Sequence, residues 1–393
     1  MKIAYITAFY YPTIGGVEQV VKELAERYVQ QGHEVHVFTS DWDKKNRIKI
    51  KEETINGVKI HRYKYIFRVA NFASVFPSLL WDLYKYDFDI IHTHVSGHAH
   101  TFFASLIAKI KKTPLIHTTH CPWTDSFRSL AGRILVWISY KTINKLSFKF
   151  SDKIIAITPW EIPFIEKYGG KKEKIIVIPN GVNEIFFKKI KNNDFKKNLG
   201  IKCPIVLFFG RFNITKGPDK FVLAAKEILK ERKNITFLMV GPDEGMLNKV
   251  KELSNNDKNI IILGPIREKE KIAKIYQSAD VFVLPSYREG LPLTLIEALA
   301  SGLPIVASPV NGVPYEMKEP ENGFFVNYGD IQNLKEKILT LIDNKYLAEK
   351  ISKNNIEKAK NYSWDIIAEK TMNIYKEICL KIKEKIIQGE KIV

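Results

Sequence analysis

Residues 204–225, PIVLFFGRFNITKGPDKFVLAA, read as a buried strand, a loop and an amphipathic helix in direct succession. The apolar run of residues 204–210 has no polar alternation, as expected of a strand covered on both faces in a parallel sheet. The loop after it presents Arg211 and Lys216, and the helix that follows carries Phe221, Val222 and Leu223. Arginine offers a planar fork of donors and lysine a compact charge, so the two are complementary holders of one diphosphate. The same rhythm runs in both directions from this stretch. Toward the amino terminus lie KIAYIT (2–7), EVHVFTS (34–40), DIIHTH (89–94), PLIHTTH (114–120), KIIAIT (153–158) and KIIVIPNG (174–181). Toward the carboxyl terminus lie TFLMVG (236–241), NIIILG (259–264), VFVLPS (281–286), PIVAS (304–308) and GFFV (323–326). Strands alternating with helical patterns, broken by a polar, lysine-rich stretch over 183–202, predict two α/β units with parallel sheets joined by a linker.

The 393 residues are enough for two cores of ordinary size, and 45% hydrophobic with 26% charged residues is a globular composition. The three cysteines, Cys121, Cys203 and Cys379, are far apart and share no metal-ligand or disulfide-framework spacing. A reducing cytosol is the expected compartment. The chain opens on a strand pattern where a secretory signal would show a basic patch and a long apolar run. No window has the unbroken apolar length that crosses a bilayer. The formal net charge of +18 fits phosphate-bearing substrates or an anionic membrane surface. Nucleic acid is not expected, because no helix-turn-helix, RNP or zinc-finger pattern accompanies the charge.

A second loop completes the anion-binding pattern. REGLPLTLIEALAS (288–301) sets Glu289 and Glu297 on either side of a Gly-Leu-Pro turn that opens a helix. Pro292 is expected at the first helical position, where its missing N–H costs nothing. The N–H groups of Leu293 and Thr294 then face outward, and a helix start of this kind seats an anion. Glu289 precedes that seat and Glu297 follows about two turns along, so one is placed for sugar hydroxyls and the other for those of a ribose. Near the amino terminus, Gly15 and Gly16 stand between the first strand and a helix carrying Val17, Val20, Val21 and Leu24, a turn that lets backbone approach a phosphate or a sugar.

With these residues in place the chain resembles the family-four retaining glycosyltransferases over nearly its whole length, in its Glu-x7-Glu spacing, its G-R-x4-K-G loop and its early glycine pair. The resemblance implies the GT-B architecture, an α/β fold of two facing Rossmann-like domains with an interdomain cleft and a last helix that crosses back to the first domain. The expected division is 1–183 with 362–393 for the acceptor-side domain and 184–361 for the donor domain. The resemblance also implies a nucleoside-diphosphate sugar as donor and no metal. Arg211 and Lys216 would grip the diphosphate, Glu289 would meet the sugar, Glu297 the ribose, and Gly16 a donor phosphate. His120, at the end of the PLIHTTH strand, would lie beside the reacting sugar, with Trp123 and Asp125 close behind it. The backbone near Ile266 would pair with the nucleobase edge, which leaves the base itself unreadable. The acceptor would be a sugar, a glycolipid or a lipid-linked hydroxyl. An epimerase or phosphorylase of the same fold, or a non-catalytic sugar-nucleotide binder, would use the same residues.

Two further stretches invite a chemical reading. His92, His94, His98 and His100 crowd into nine residues, but strand alternation and a helix start should keep them from converging on one ion. Residues 62–88 and 123–150 interleave aromatic residues with lysine and arginine, a pattern that fits either core-facing helices or a peripheral contact with an anionic membrane.

Overall fold

The computed structural model describes residues 1–388 apart from 14, 44, 70–72, 121, 122, 124–128, 191 and 192. The chain forms two compact units, Met1–Asn180 with Trp364–Val393, and Gly181–Ser363.

In the first unit the strands order as Ile175–Val177, Lys153–Ala156, Leu115–Thr118, Ile90–His94, Lys2–Ile6, Glu34–Ser40, Val58–Tyr63 and Glu52–Ile55. All neighbours are parallel except the last pair. Sequence order therefore reverses between Lys2–Ile6 and Ile90–His94. The helix Gly16–Gln30 lays Val20, Val21, Leu24 and Tyr28 against the sheet, at the three- and four-residue spacing that puts them on one face. The helix Trp364–Ile387 belongs to this unit and is fastened by polar contacts as well as burial. Tyr28 donates to the Ala368 carbonyl at 2.8 Å, and Arg27 pairs with Asp365 at 2.7 Å. The Tyr375 hydroxyl sits 3.0 Å from that of Tyr5 and 2.6 Å from His92 Nδ1.

The second unit is a wholly parallel sheet ordered Ile260–Leu263, Thr236–Val240, Ile205–Phe209, Val281–Leu284, Ile305–Ala307, Gly323–Phe325. Numbered within the unit this is 3-2-1-4-5-6, the doubly wound arrangement whose ligands bind outside the carboxyl ends of the strands where the order reverses. Here that point lies between Ile205–Phe209 and Val281–Leu284. The core is built from Val206, Phe208, Phe221, Phe237, Met239, Val281 and Val283, with helix residues Val222, Ala225 and Ile228 packed on it.

Each strand expected from sequence is present in these sheets. The antiparallel pair Glu52–Ile55 and Val58–Tyr63 was not expected; it turns at Asn56 and Gly57, both at positive φ, an Asn-Gly hairpin signal that the sequence carries in plain view.

Candidate functional site

The two loops that carry the expected diphosphate and sugar ligands leave the second unit's sheet on either side of its switch point. In the first, Asn213 accepts from Thr215 N–H at 2.9 Å and caps a short turn, Ile214–Lys216. Gly217 follows at φ +64°, and a Cβ there would overlap the Pro285 carbonyl oxygen; only glycine lets this loop lie against the end of strand Val281–Leu284. Tyr287 N–H donates to the Thr215 carbonyl at 2.8 Å, which stitches the second loop to the first. The result is a direct meeting of two expected site residues far apart in sequence. Lys216 Nζ lies 2.6 Å from both carboxylate oxygens of Glu289, and Ser286 Oγ donates to Glu289 Oε1 at 2.7 Å. Glu289 is 5% exposed. Burial pulls the Lys216 ammonium pKa down, the facing Glu289 carboxylate opposes that, and the nearby Arg211 charge adds to the fall.

Arg211 is therefore close enough to Lys216 for their like charges to be felt, yet its guanidinium is engaged elsewhere. Its Nη1 contacts Glu244 Oε2 at 2.9 Å and Oε1 at 3.2 Å, and Asn213 Nδ2 donates to the same carboxylate at 3.2 Å. Glu244 is set by a firm turn. Asp243 Oδ1 accepts from the N–H groups of Gly245, Met246 and Leu247, and Glu244 N–H donates to the Phe212 carbonyl at 3.1 Å. Sequence spacing offers no clue to Glu244, because it lies on a different loop some thirty residues from Arg211.

The helix after Glu289 runs Leu293–Ala300 with Pro292 at its N-cap in extended backbone, so the expectation of Pro292 at the first helical position is corrected. The reason is local. The helical φ and ψ values begin one residue later, which leaves Leu293 and Thr294 as the first two residues of the helix, with no capping side chain over their N–H groups. Both are half-buried. Glu297, about one turn in, accepts from the Tyr276 hydroxyl at 3.0 Å. Burial pushes the Glu297 carboxyl up to about 7, against the opposing pull of Tyr276 and of Lys269. Tyr276 is itself fully buried, with its ring 5.2 Å from Phe209 and 5.8 Å from Phe282, the strand residues at the switch point. Ile266 is half-buried in the loop between strand Ile260–Leu263 and helix Lys269–Ser278, the helix that supplies Tyr276. Ser286, Glu244 and Tyr276, which touch the candidate residues, and Lys269, whose charge reaches Glu297, are the neighbours that sequence reading missed.

In the first unit, Gly15 is the N-cap and Gly16 the first residue of the helix Gly16–Gln30, again without a capping side chain. A Cβ on Gly15 would run into the Glu18 carboxylate, which folds back over the helix start. His120 lies just past strand Leu115–Thr118 at φ +45°, its Nε2 3.0 Å from His94 Nδ1. Burial drives His120 down to about 3 and His94 well below its ordinary range, so both rings are neutral near pH 7. His117 is a different case, buried between Thr93 Oγ1 at 2.8 Å and Ser96 Oγ at 2.9 Å. His92 is held by Tyr375 and by Thr118 Oγ1 at 2.7 Å, while His100 Nε2 meets the His94 carbonyl at 3.1 Å. Among the described residues no three His, Cys, Asp or Glu side chains are grouped so as to hold a metal ion. Cys121 and Asp125 lie outside the described residues.

Two doubly wound α/β units, one carrying lysine, arginine and paired carboxylates at its switch point, place the chain in the GT-B fold class. Residues 14–185 match the family described as Glycosyltransferase Family 4, and residues 189–358 match that described as Glycosyl transferases group 1. The chain belongs to this family of glycosyltransferases and is an enzyme that transfers glycosyl groups. It is 32% identical over 295 residues to the N,N'-diacetylbacillosaminyl-diphospho-undecaprenol alpha-1,3-N-acetylgalactosaminyltransferase of Campylobacter jejuni, covering 72% of this chain and 76% of that protein. It is also 32% identical over 292 residues to an Escherichia coli UDP-Gal:alpha-D-GlcNAc-diphosphoundecaprenol alpha-1,3-galactosyltransferase, covering 71% and 72%. Among solved structures, Anabaena HepE in complex with UDP and glucose superposes with a TM-score of 0.77 at 18% identity, over 96% of this chain and all of that one, a likeness of fold.

Proposed function

We propose that the enzyme moves a hexose-type sugar from a nucleoside diphosphate to an acceptor hydroxyl, with retention of anomeric configuration and without a metal ion. The observation that carries this reading is that Lys216 and Arg211 lie on one loop of the switch point and Glu289, in contact with Lys216, leads into the uncapped helix start at Leu293 and Thr294 on the other. As the bond from the sugar's anomeric carbon to the diphosphate breaks, its electron pair leaves with the diphosphate oxygen. Fixed positive groups stabilise that developing charge more than the ground state. Glu289, once Lys216 turns to the diphosphate, offers its carboxylate to sugar hydroxyls. Glu297 is assigned to the ribose, and the backbone near Ile266 to the base. On the first unit, the backbone of Gly15 and Gly16 is assigned to a donor phosphate. His120, a neutral ring, is assigned to polar contact with the sugar and not to proton abstraction, since its low pKa makes it a poor base.

Two relatives are named for diphosphoundecaprenol-linked substrates, and this supports a lipid-linked acceptor at a cytoplasmic membrane face. The test is incubation with UDP-, GDP- and ADP-sugars. Binding of one donor, slow hydrolysis without acceptor, and an α-linked product from an α-linked donor are expected. An altered sugar nucleotide released without acceptor would make the enzyme an epimerase, and no donor bound or consumed would end the proposal.

A further inference from the structure

Residues 130–150 form one continuous helical rod in three parts: helix Leu130–Ser139, a π turn Tyr140–Asn144, and helix Lys145–Phe150. The parts differ sharply in burial. The last eleven residues are tied to the first unit, with Asn144, Ser147 and Phe148 buried and the Tyr140 ring 5.3 Å from Trp123 and 5.1 Å from Tyr168. Ser139 Oγ adds a hydrogen bond to the Gly97 carbonyl at 2.5 Å. None of the first ten residues is buried, although the segment is mostly apolar. Leu130 is 74% exposed, Trp137 58%, Ile134 51%, Leu135 46% and Ile138 45%.

The helical period places Leu130, Ile134, Trp137 and Ile138 on one side, with Leu135 at its margin. A contiguous apolar face of this kind on a protein surface marks an interaction site, unlike singly scattered exposed residues. The comparison with helix Leu79–Lys85 is instructive. That helix also exposes aromatic residues, Trp81 and Tyr84, but it buries Leu79 and Leu83 in the core and needs no partner.

Charge decides what covers the exposed face. Residues 129–150 contain Arg133, Lys141, Lys145 and Lys149 and not a single Asp or Glu. The three lysines are exposed and make no ion pair among the described residues. A protein partner would need an acidic rim around an apolar groove, whereas an anionic lipid surface supplies both chemistries at once. Apolar side chains and Trp sink to headgroup depth, and lysines at the flank meet lipid phosphates. A capped start, Ser129 accepting from Gly132 N–H at 3.2 Å, satisfies one of the helix's first N–H groups locally.

We infer that the helix Leu130–Ser139, with the lysines that follow it, docks this enzyme in the plane of an anionic membrane. The inference builds on the reading of a lipid-borne acceptor, whose hydroxyl this docking would hold at the protein's surface. The vesicle test needs no donor, so the two readings fail separately.

The full chain is floated with vesicles of phosphatidylcholine alone and of phosphatidylcholine with about a third phosphatidylglycerol, at low and at physiological salt. Binding to the anionic vesicles is expected, weaker at higher salt because exposed charges are screened. It should fall at least tenfold in I134S/W137S, and fall while losing its anionic preference in K141E/K145E. Both variants should keep the wild-type melting temperature within a few degrees, because the replaced side chains are exposed. W137F should retain binding, and wild-type Trp fluorescence should shift to the blue on the vesicles by an amount that W137F lacks. Vesicle binding that is absent, or unchanged in I134S/W137S, overturns the inference. So does a wild-type dimer that I134S/W137S converts to monomer while vesicles capture neither, since the face would then belong to a second copy of the chain.

Discussion

Removing the Lys216 ammonium tests whether the pair with Glu289 is built as the structure shows. The two groups lie 2.6 Å apart with side chains 16% and 4% exposed, so they meet where water is scarce. Lys216→Met leaves the Glu289 carboxylate accepting from Ser286 with no facing cation at that distance. Breaking a buried pair from one side costs about 3–5 kcal/mol; the partial exposure of Lys216 places this case at about 3 kcal/mol. In a unit of this size each kcal/mol shifts the melting temperature by about 2–4 °C, so a fall of roughly 6–12 °C is expected by calorimetry. Glu289→Gln placed on top of Lys216→Met removes the stranded charge and should restore at least half of that loss. Transfer should not follow stability. Loss of one preorganised charge at a reacting diphosphate costs about 10²–10³ in kcat, and the double variant should stay that low. Lys230, two-thirds exposed beside Glu227, is the control site. If Lys216→Met lowers the melting temperature no more than Lys230→Ala, or if the double variant melts lower still, the pair is not desolvated and the argument fails.

Two other outcomes follow from the same loops. Glu297 ionises near pH 7 in the free protein because burial raises it above its unfolded value of 4.5; ribose hydroxyls donate to the ionised form, so donor affinity should fall by up to tenfold per pH unit as pH drops below about 7, with proton release on binding there. Glu297→Gln should flatten that profile, and it should also remove the free protein's loss of stability as pH rises from about 4.5 through about 7, where the folded state holds the extra proton; a wild-type affinity indifferent to pH from 5.5 to 8 would refute the assignment. Glu244 occupies Arg211 in the donor-free protein through a half-exposed pair, a contact worth about 0.2–1 kcal/mol. Glu244→Gln should therefore tighten nucleoside diphosphate binding by up to about fivefold by titration calorimetry, and weaker binding would show that Glu244 orients Arg211 instead of competing for it.

The parallel strands were legible because each is covered on both faces and therefore reads as an unbroken apolar run, with loop and helix following in fixed order. Strand Val58–Tyr63 escaped because His61 and Arg62 interrupt its apolar pattern, although both are buried, with Arg62 donating to the Tyr11 carbonyl at 2.8 Å. Lys216 and Glu289 were each legible from their own loops. Their bidentate contact was not, since it depends on the strand order that brings two loops over seventy residues apart to one switch point. Glu244, Ser286 and Tyr276 have no spacing signature. Glu244 and Tyr276 touch a site residue from a neighbouring element, which only the folded sheet reveals, while Ser286 reaches Glu289 from three residues back in the same loop. The helix from Leu130 was read as either core-facing or interfacial, because sequence period gives a face but not what lies against it.

The central claim is that one diphosphate sits on Lys216, Arg211 and the helix start at Leu293. A crystal structure of the enzyme grown with a nucleoside diphosphate tests it most directly. Diphosphate oxygens within hydrogen-bond reach of Lys216 Nζ, of the Arg211 guanidinium and of the Leu293 or Thr294 N–H are predicted, with Glu244 withdrawn from Arg211. A nucleotide bound away from that switch point, or bound there with both cations still closed on Glu289 and Glu244, would contradict it.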